Sequence, residues 1–306
     1  MNTFPKRTFF SVGFPTNPQP ISDVWEKLSS YLKKNRSLPK QFEVSQLAGH
    51  AECFKSEQYL KLTTAEFAQL IVERDLNGFR VDSGSFRRQT SMDFWLTDAK
   101  NLGKQSSLTC RVETNSKSPD DWKPLIEQLV EMFQSIGAWQ WNSYYNSWQT
   151  SAVLNDGYER LFGTVPPTAK TYIEKSIDGI GPNRILIDTS HNPGRTKELI
   201  PTIYFHSTAE MWLGPHFWQY AKCTKEEALA ADFFIEKRDM PHYLYLKCWP
   251  TVFTRPDGEQ GRVQQKLWKL FFHEDCEWPP GSGTICDEPM YGPPELVPGY
   301  KAATDG

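Results

Sequence analysis

Residues 108–137 read LTCRVETNSKSPDDWKPLIEQLVEMFQSIG, and this stretch decides the fold class. Its first six residues alternate: Leu108, Cys110 and Val112 are apolar or thiol, while Thr109, Arg111 and Glu113 are polar. A period of two puts successive side chains on opposite faces, so the segment reads as a half-buried strand. A turn follows at 115–118. Ser118-Pro119-Asp120-Asp121 then starts a helix, with a capping hydroxyl, a proline in the first turn, and carboxylates at the positive end of the dipole. Trp122, Leu125, Ile126, Leu129, Met132, Phe133 and Ile136 recur at helical spacing and make one apolar stripe, which Gly137 closes.

Upstream, the same two periods mix. Residues 8–12 are a short strand. Ser22-Asp23 caps a helix through Val24, Trp25, Leu28 and Leu32 that ends by Pro39 at the latest. Thr63-Thr64 starts another, with Glu66 placed for a capping box, through Phe67, Leu70 and Ile71 to Asn77-Gly78. Strands are expected at 79–81 and 92–96.

Downstream, the aromatic stretch 139–148 reads as a strand. A helix or turn at Tyr158, Leu161 and Phe162 ends at Gly163, and 164–183 reads as a connection or short helix. Strands are expected at 184–188, 201–205 and 243–248, helical structure at 224–234, and an amphipathic helix at 261–272. Beyond Trp278, Pro and Gly dominate.

Helices and strands intermix without the regular spacing of βαβ units. The expected class is therefore α+β, a mixed or antiparallel sheet with packed helices and an irregular Pro/Gly-rich C-terminal tail. Residues 1–106 form an N-terminal α+β region, 107–277 a Trp-rich α+β region, and 278–306 the tail; the alternative is a single domain throughout.

Composition narrows the function. The 306 residues carry 34 Lys and Arg against 37 Asp and Glu, a net charge of −3. That balance supplies no general basic face for nucleic acid or anionic lipid. Pro5 and Pro15 interrupt the N-terminal apolar residues before a signal-peptide core forms, and no apolar run approaches the ~20 residues of a membrane span. The expected location is the cytoplasm. Cys53, Cys110, Cys223, Cys248, Cys276 and Cys286 form no C-x-x-C pair, as reduced thiols of a cytosolic protein would.

Signatures of catalysis are missing. The chain holds no Walker loop, no G-x-G-x-x-G, no G-x-S-x-G elbow and no H-E-x-x-H helix. No catalytic residue, cofactor or metal is expected. The segment nearest to an enzyme's is Ile187-Asp188-Thr189-Ser190-His191-Asn192-Pro193-Gly194-Arg195. Adjacent residues point in different directions, and Asn-Pro-Gly is ordinary turn chemistry. A hydrolase-like site around Asp188 and His191 is the alternative reading. His273-Glu274-Asp275-Cys276-Glu277 reads as a solvated helix end rather than a metal cluster.

Aromatic residues are 14% of the chain and include eleven tryptophans. They concentrate at 139–148 (WQWNSYYNSW) and 210–220 (EMWLGPHFWQY). In strands, alternate members face opposite ways. One set fills a core and the other meets a partner, or all of them are core. Glycan stacking is a third use, at odds with the missing export signal.

Within the second segment, Trp212-Leu213-Gly214-Pro215 followed by Phe217-Trp218, with Ala209-Glu210-Met211 upstream, resembles the tryptophan-rich motif of Imm52-type immunity proteins, encoded beside polymorphic toxins and type VI secretion effectors. The resemblance spans roughly 108–272 and leaves the first hundred residues unexplained. It implies an immunity protein that binds and occludes a cognate toxin, a nuclease effector domain, without chemistry of its own. Trp212, His216 and Trp218, then Trp141, Tyr144 and Tyr145, are the expected partner-binding residues. Direct contact with nucleic acid or membrane is not expected, and a homodimer is compatible with this reading.

Overall fold

The computed structural model describes residues 8–15, 21–34, 41–44, 60–63, 65–66, 68–69, 78–82, 90–97, 107–114, 122–133, 135–151, 171–174, 184–200 and 203–276. The strands are β1 (Thr8–Pro15), β2 (Gln41–Val44), β3 (Leu60–Thr63), β4 (Gly78–Asp82), β5 (Thr90–Thr97), β6 (Ser107–Thr114), β7 (Gly137–Asn142), β8 (Thr171–Glu174), β9 (Arg184–Ile187), β10 (Thr196–Ile200), β11 (Ile203–His206), β12 (Glu210–Leu213), β13 (Glu236–Asp239) and β14 (Leu244–Lys247). The helices are α1 (Ile21–Lys34), α2 (Lys123–Phe133), α3 (Ser143–Thr150), α4 (Lys225–Ala230) and α5 (Gly258–Phe272), with a 3₁₀ turn at Phe217–Gln219.

Ten strands form one sheet in the order β13-β14-β12-β7-β1-β6-β5-β4-β2-β3, and its pairs are antiparallel. β10–β11 and β8–β9 are separate two-stranded ladders. The class is α+β, with the antiparallel arrangement of the two expected. β1 lies between β6 and β7, and β5 pairs with β6, so the sheet runs through the 106/107 boundary.

The register sorts the side chains onto two faces. Phe10, Val12, Ala138, Gln140, Glu210, Trp212 and Tyr245 share one face. There α2 packs through Leu125, Ile126, Leu129 and Val130, all fully buried, and the Trp122 ring lies 5.5 Å from Phe10 and 5.9 Å from Tyr31 of α1. On the other face, Trp139, Trp141, Met211, Leu213, Leu244 and Leu246 meet the β10–β11 ladder, α3 and α5. Phe205 of β11 is the centre of this layer, with ring centroids 6.3 Å from Trp139, 5.4 Å from Trp268 and 4.9 Å from Phe272.

The Thr63–Glu66 capping box forms: Thr63 N–H donates to Glu66 Oε2 at 2.7 Å, and Glu66 N–H to Thr63 Oγ1 at 3.3 Å. Residues 139–148 are not one strand. The strand ends at Asn142, whose Oδ1 accepts from Tyr145 N–H at 2.8 Å and caps α3, so the amide turns the aromatic run into a helix. Within 164–183, Thr171–Glu174 is a strand, paired with β9. Tyr158–Phe162 of the sequence reading and the 278–306 tail lie outside the described residues.

Candidate partner-binding surface

β12 leads into a turn that is fixed at both ends. Gly214 N–H donates to Ile136 O at 3.0 Å, and a Cβ at Gly214 would lie 1.8 Å from Ser135 O. No side chain fits there without moving backbone. Phe217 N–H then donates to Gly214 O at 3.1 Å, Tyr220 N–H to Phe217 O at 2.9 Å, and Lys222 N–H to Phe271 O of α5 at 2.7 Å. Phe217 is fully buried and anchors the turn edge-on against Phe271 at 5.4 Å and Trp218 at 5.3 Å. The result is a rigid platform that presents half-buried His216, Trp218 and Tyr220 beside exposed Pro215, Gln219 and Lys222.

Gly214→Ala therefore tests how the platform is held. Overpacking of this kind costs about 1–3 kcal/mol, and a backbone obstacle places this case at the upper end. Urea unfolding should show a lower midpoint at an unchanged slope. A wild-type midpoint would mean that the Gly214–Ser135 contact is not a constraint.

The six residues expected to meet a partner are not one surface. Trp212 is fully buried beneath α2, with its ring 5.3 Å from Tyr245 and its Nε1 3.4 Å from Glu127 Oε1. Trp141 is 7% exposed and stacks on His206 at 4.0 Å and 8°. Tyr145 is 5% exposed; its hydroxyl donates to Gln264 Oε1 at 2.8 Å, and burial holds its pKa well above the ordinary value. These three rings fill the core: Trp141 and Trp212 lie on central strands covered on both faces, and Tyr145 lies on α3 where it packs toward α5. In this structure the three rings are placed as core residues, against the expectation of an exposed contact surface. Trp141 and Tyr145 do meet, at a small cleft shared with Asn146, Gly194, His206 and Phe253. Tyr144 lies in α3, and its side chain is outside the described residues. Among the described side chains of the six, His216 and Trp218 are the two that are half-buried rather than buried.

After β9 ends at Ile187, residues 188–195 form a turn. Asp188 Oδ1 accepts from Ser190 N–H at 2.9 Å and from its hydroxyl at 2.5 Å, Asn192 N–H donates to Thr189 O, and His191 is exposed. Arg195 is buried instead and faces α5. Its guanidinium sits 3.7 Å from the Trp268 ring centroid and donates to Glu274 Oε2 at 3.0 Å and Cys276 Sγ at 3.1 Å. Asp188, His191 and Arg195 thus point to different surroundings. Nor is the end of α5 simply solvated, since Glu274 is half-buried and also takes Lys197, at 2.5 Å. Sequence reasoning missed this Arg195–Glu274 link, because its ends are 79 residues apart.

Cys223 and Cys248 are buried free thiols, and burial pushes the Cys223 thiol up to about 11. Among the described residues, no group of three His, Cys, Asp or Glu is placed to hold a metal ion. No described helix is long and apolar enough to cross a membrane. Compared with known proteins, the chain matches no protein-family model and no curated protein sequence. Among solved structures it is similar to the Pseudomonas aeruginosa T6SS protein PA0821, at 9% identity and a TM-score of 0.46, over 83% of this chain and 72% of that one.

Proposed function

We propose that this protein works by binding another protein, as an Imm52-type immunity protein binds its toxin, and that it grips its partner with the 215–222 turn. The carrying observation is Trp218, a half-buried ring on a backbone that follows β12 and is held at Ile136, just ahead of β7, and at Phe271 of α5. A ring held in advance gives up little freedom on binding, and Trp is the residue type most enriched among energetic anchors of interfaces. The resembling motif divides in a way that suits this role. Trp212, Leu213, Gly214 and Phe217 build the platform, and His216 and Trp218 stand on it. In this reading the protein acts in the cytoplasm, covers a nuclease toxin domain, and performs no reaction.

The test uses the protein encoded by the adjacent gene. Wild type should co-purify with it and neutralise its toxicity. Trp218→Ala should weaken binding by at least about 2 kcal/mol, with far-UV circular dichroism unchanged. Wild-type affinity in both Trp218→Ala and His216→Ala would show that the turn is not the binding face. A neighbouring product that neither binds nor harms the cell would end the immunity reading.

A further inference from the structure

The cleft at which Trp141 and Tyr145 meet offers a chemistry that the 215–222 turn does not use. Phe253 is its third ring, and His206, Ser207 and Asn146 supply polar atoms. The end of β11 builds it. His206 is the last residue of that strand; its ring lies parallel to Trp141 at 4.0 Å, and its Nδ1 sits 3.2 Å from Asn146 Oδ1. These contacts fix where the chain leaves the strand, and Ser207 follows directly. The serine is 6% exposed, and its Oγ is buried with no hydrogen-bond partner among the described residues. The next residue, Thr208, is satisfied, since its hydroxyl donates to Glu210 O at 2.7 Å. A buried hydroxyl left unpaired gives up its hydrogen bonds to water and gains none in return, so such groups are rare in folded chains. The cavity measures about 10 Å³, close to the smallest that admits a single water-sized group.

We infer that this cleft is a binding site for a neutral hydroxyl head on a short carbon stem, held by Ser207. A hydroxyl both donates and accepts, so it pairs with Ser207 Oγ in either sense. Water is the ordinary occupant of such a place. The rings of Trp141, Tyr145 and Phe253 favour an alcohol over it, because they cover the carbon that carries the hydroxyl. No Asp, Glu, Lys or Arg lines the cleft, so a charged head would lose its hydration without a counter-ion. Ring faces could compensate an ammonium, but one face of Trp141 is already covered by His206. A free small alcohol and the Ser or Thr side chain of a docked polypeptide share this chemistry. Neither the cleft nor its occupant depends on the 215–222 turn being the binding face.

The isotopically labelled full chain can be titrated with methanol, methylammonium chloride and tert-butanol, following the backbone amide signals of Asn146 and Thr208 by NMR. Methanol should shift both signals saturably. Tert-butanol, too bulky for the cavity, and methylammonium, which is charged, should not. Ser207→Ala should weaken methanol binding roughly fivefold, the worth of one neutral hydrogen bond. Its urea midpoint without methanol should be no lower than that of wild type, because the hydroxyl it removes has no partner there. Capped Gly-Ser-Gly and Gly-Ala-Gly peptides separate the two sources. A response to the serine peptide and not to the alanine peptide assigns the head to a docked polypeptide, and a response to methanol and to neither peptide assigns it to a free alcohol. Equal methanol affinity in wild type and Ser207→Ala, a methylammonium response as strong as methanol's, or equal responses to the two peptides overturns the inference. So does a wild type that ignores methanol; if Ser207→Ala is then also less stable, the serine holds a structural water only.

Discussion

Trp268→Ala is expected to cost about 3–5 kcal/mol, a large share of the roughly 5–15 kcal/mol that holds a typical domain folded. Three kinds of interaction end on this one fully buried ring. Phe205 meets it edge-on at 5.4 Å and Phe272 at a tilt at 5.5 Å, so truncation opens a hole between α5 and the β10–β11 ladder. The Arg195 guanidinium lies 3.7 Å from its centroid, and a cation over indole in a desolvated site contributes up to about 2 kcal/mol. Its Nε1 donates to Pro193 O at 2.8 Å, which fixes the buried side of the 189–195 turn. Trp268→Phe separates these contributions. It keeps most of the packing and strands the Pro193 carbonyl, for a loss of about 1–3 kcal/mol. Urea unfolding of the three proteins should rank them wild type, Phe, Ala. Equal stability of the Phe and wild-type proteins would show that the indole N–H contributes nothing.

What could be read from the chain follows the range of the forces involved. The Thr63–Glu66 box, α2 and α5 were legible, because caps and apolar stripes act within a few residues. The sheet order was not. β1 pairs with β6 across about a hundred residues and with β7 across about 130, and no local pattern specifies that choice. The all-charged β13, Glu236-Lys237-Arg238-Asp239, lacks any intrinsic preference for a strand, and it forms because β14 offers it an edge. The ending of β7 at Asn142 was visible only as a competing signal, since Trp139 and Trp141 invite the strand to continue. The site shows the same divide. Trp212 and Trp218 are six residues apart and chemically identical, yet one is sealed under α2 and the other is presented. Composition identified the aromatic segment, and tertiary packing chose which ring a partner can touch.

Arg195→Ala is expected to cost about 2–4 kcal/mol, short of the full range for breaking a wholly buried ion pair because Glu274 is 35% exposed and keeps Lys197. The arginine is 6% exposed, and its head group joins Asn192 O, Glu274 Oε2 and Cys276 Sγ, so one substitution unties the 189–195 turn from the end of α5. Arg195→Met, which keeps the stem over Trp268 without the charge, should recover part of the loss. The effect depends on pH through Glu274. Burial acts to raise its pKa, but hydrogen bonds and charge from Lys197 and Arg195 outweigh burial and leave it below the ordinary value of 4.5. A depressed carboxylate pKa stabilises the fold above the unfolded-state value, and that contribution fades as pH falls through the folded-state value. The stability gap between wild type and Arg195→Ala should therefore be full near neutrality and narrow below about pH 4.5. The narrowing should be modest, because the Glu274 side chain is 35% exposed and solvent screens it. Urea unfolding at about pH 7 and about pH 3 reads this directly. A gap of the same size at both pH values would mean that Arg195 acts through its stacking on Trp268 and not through Glu274.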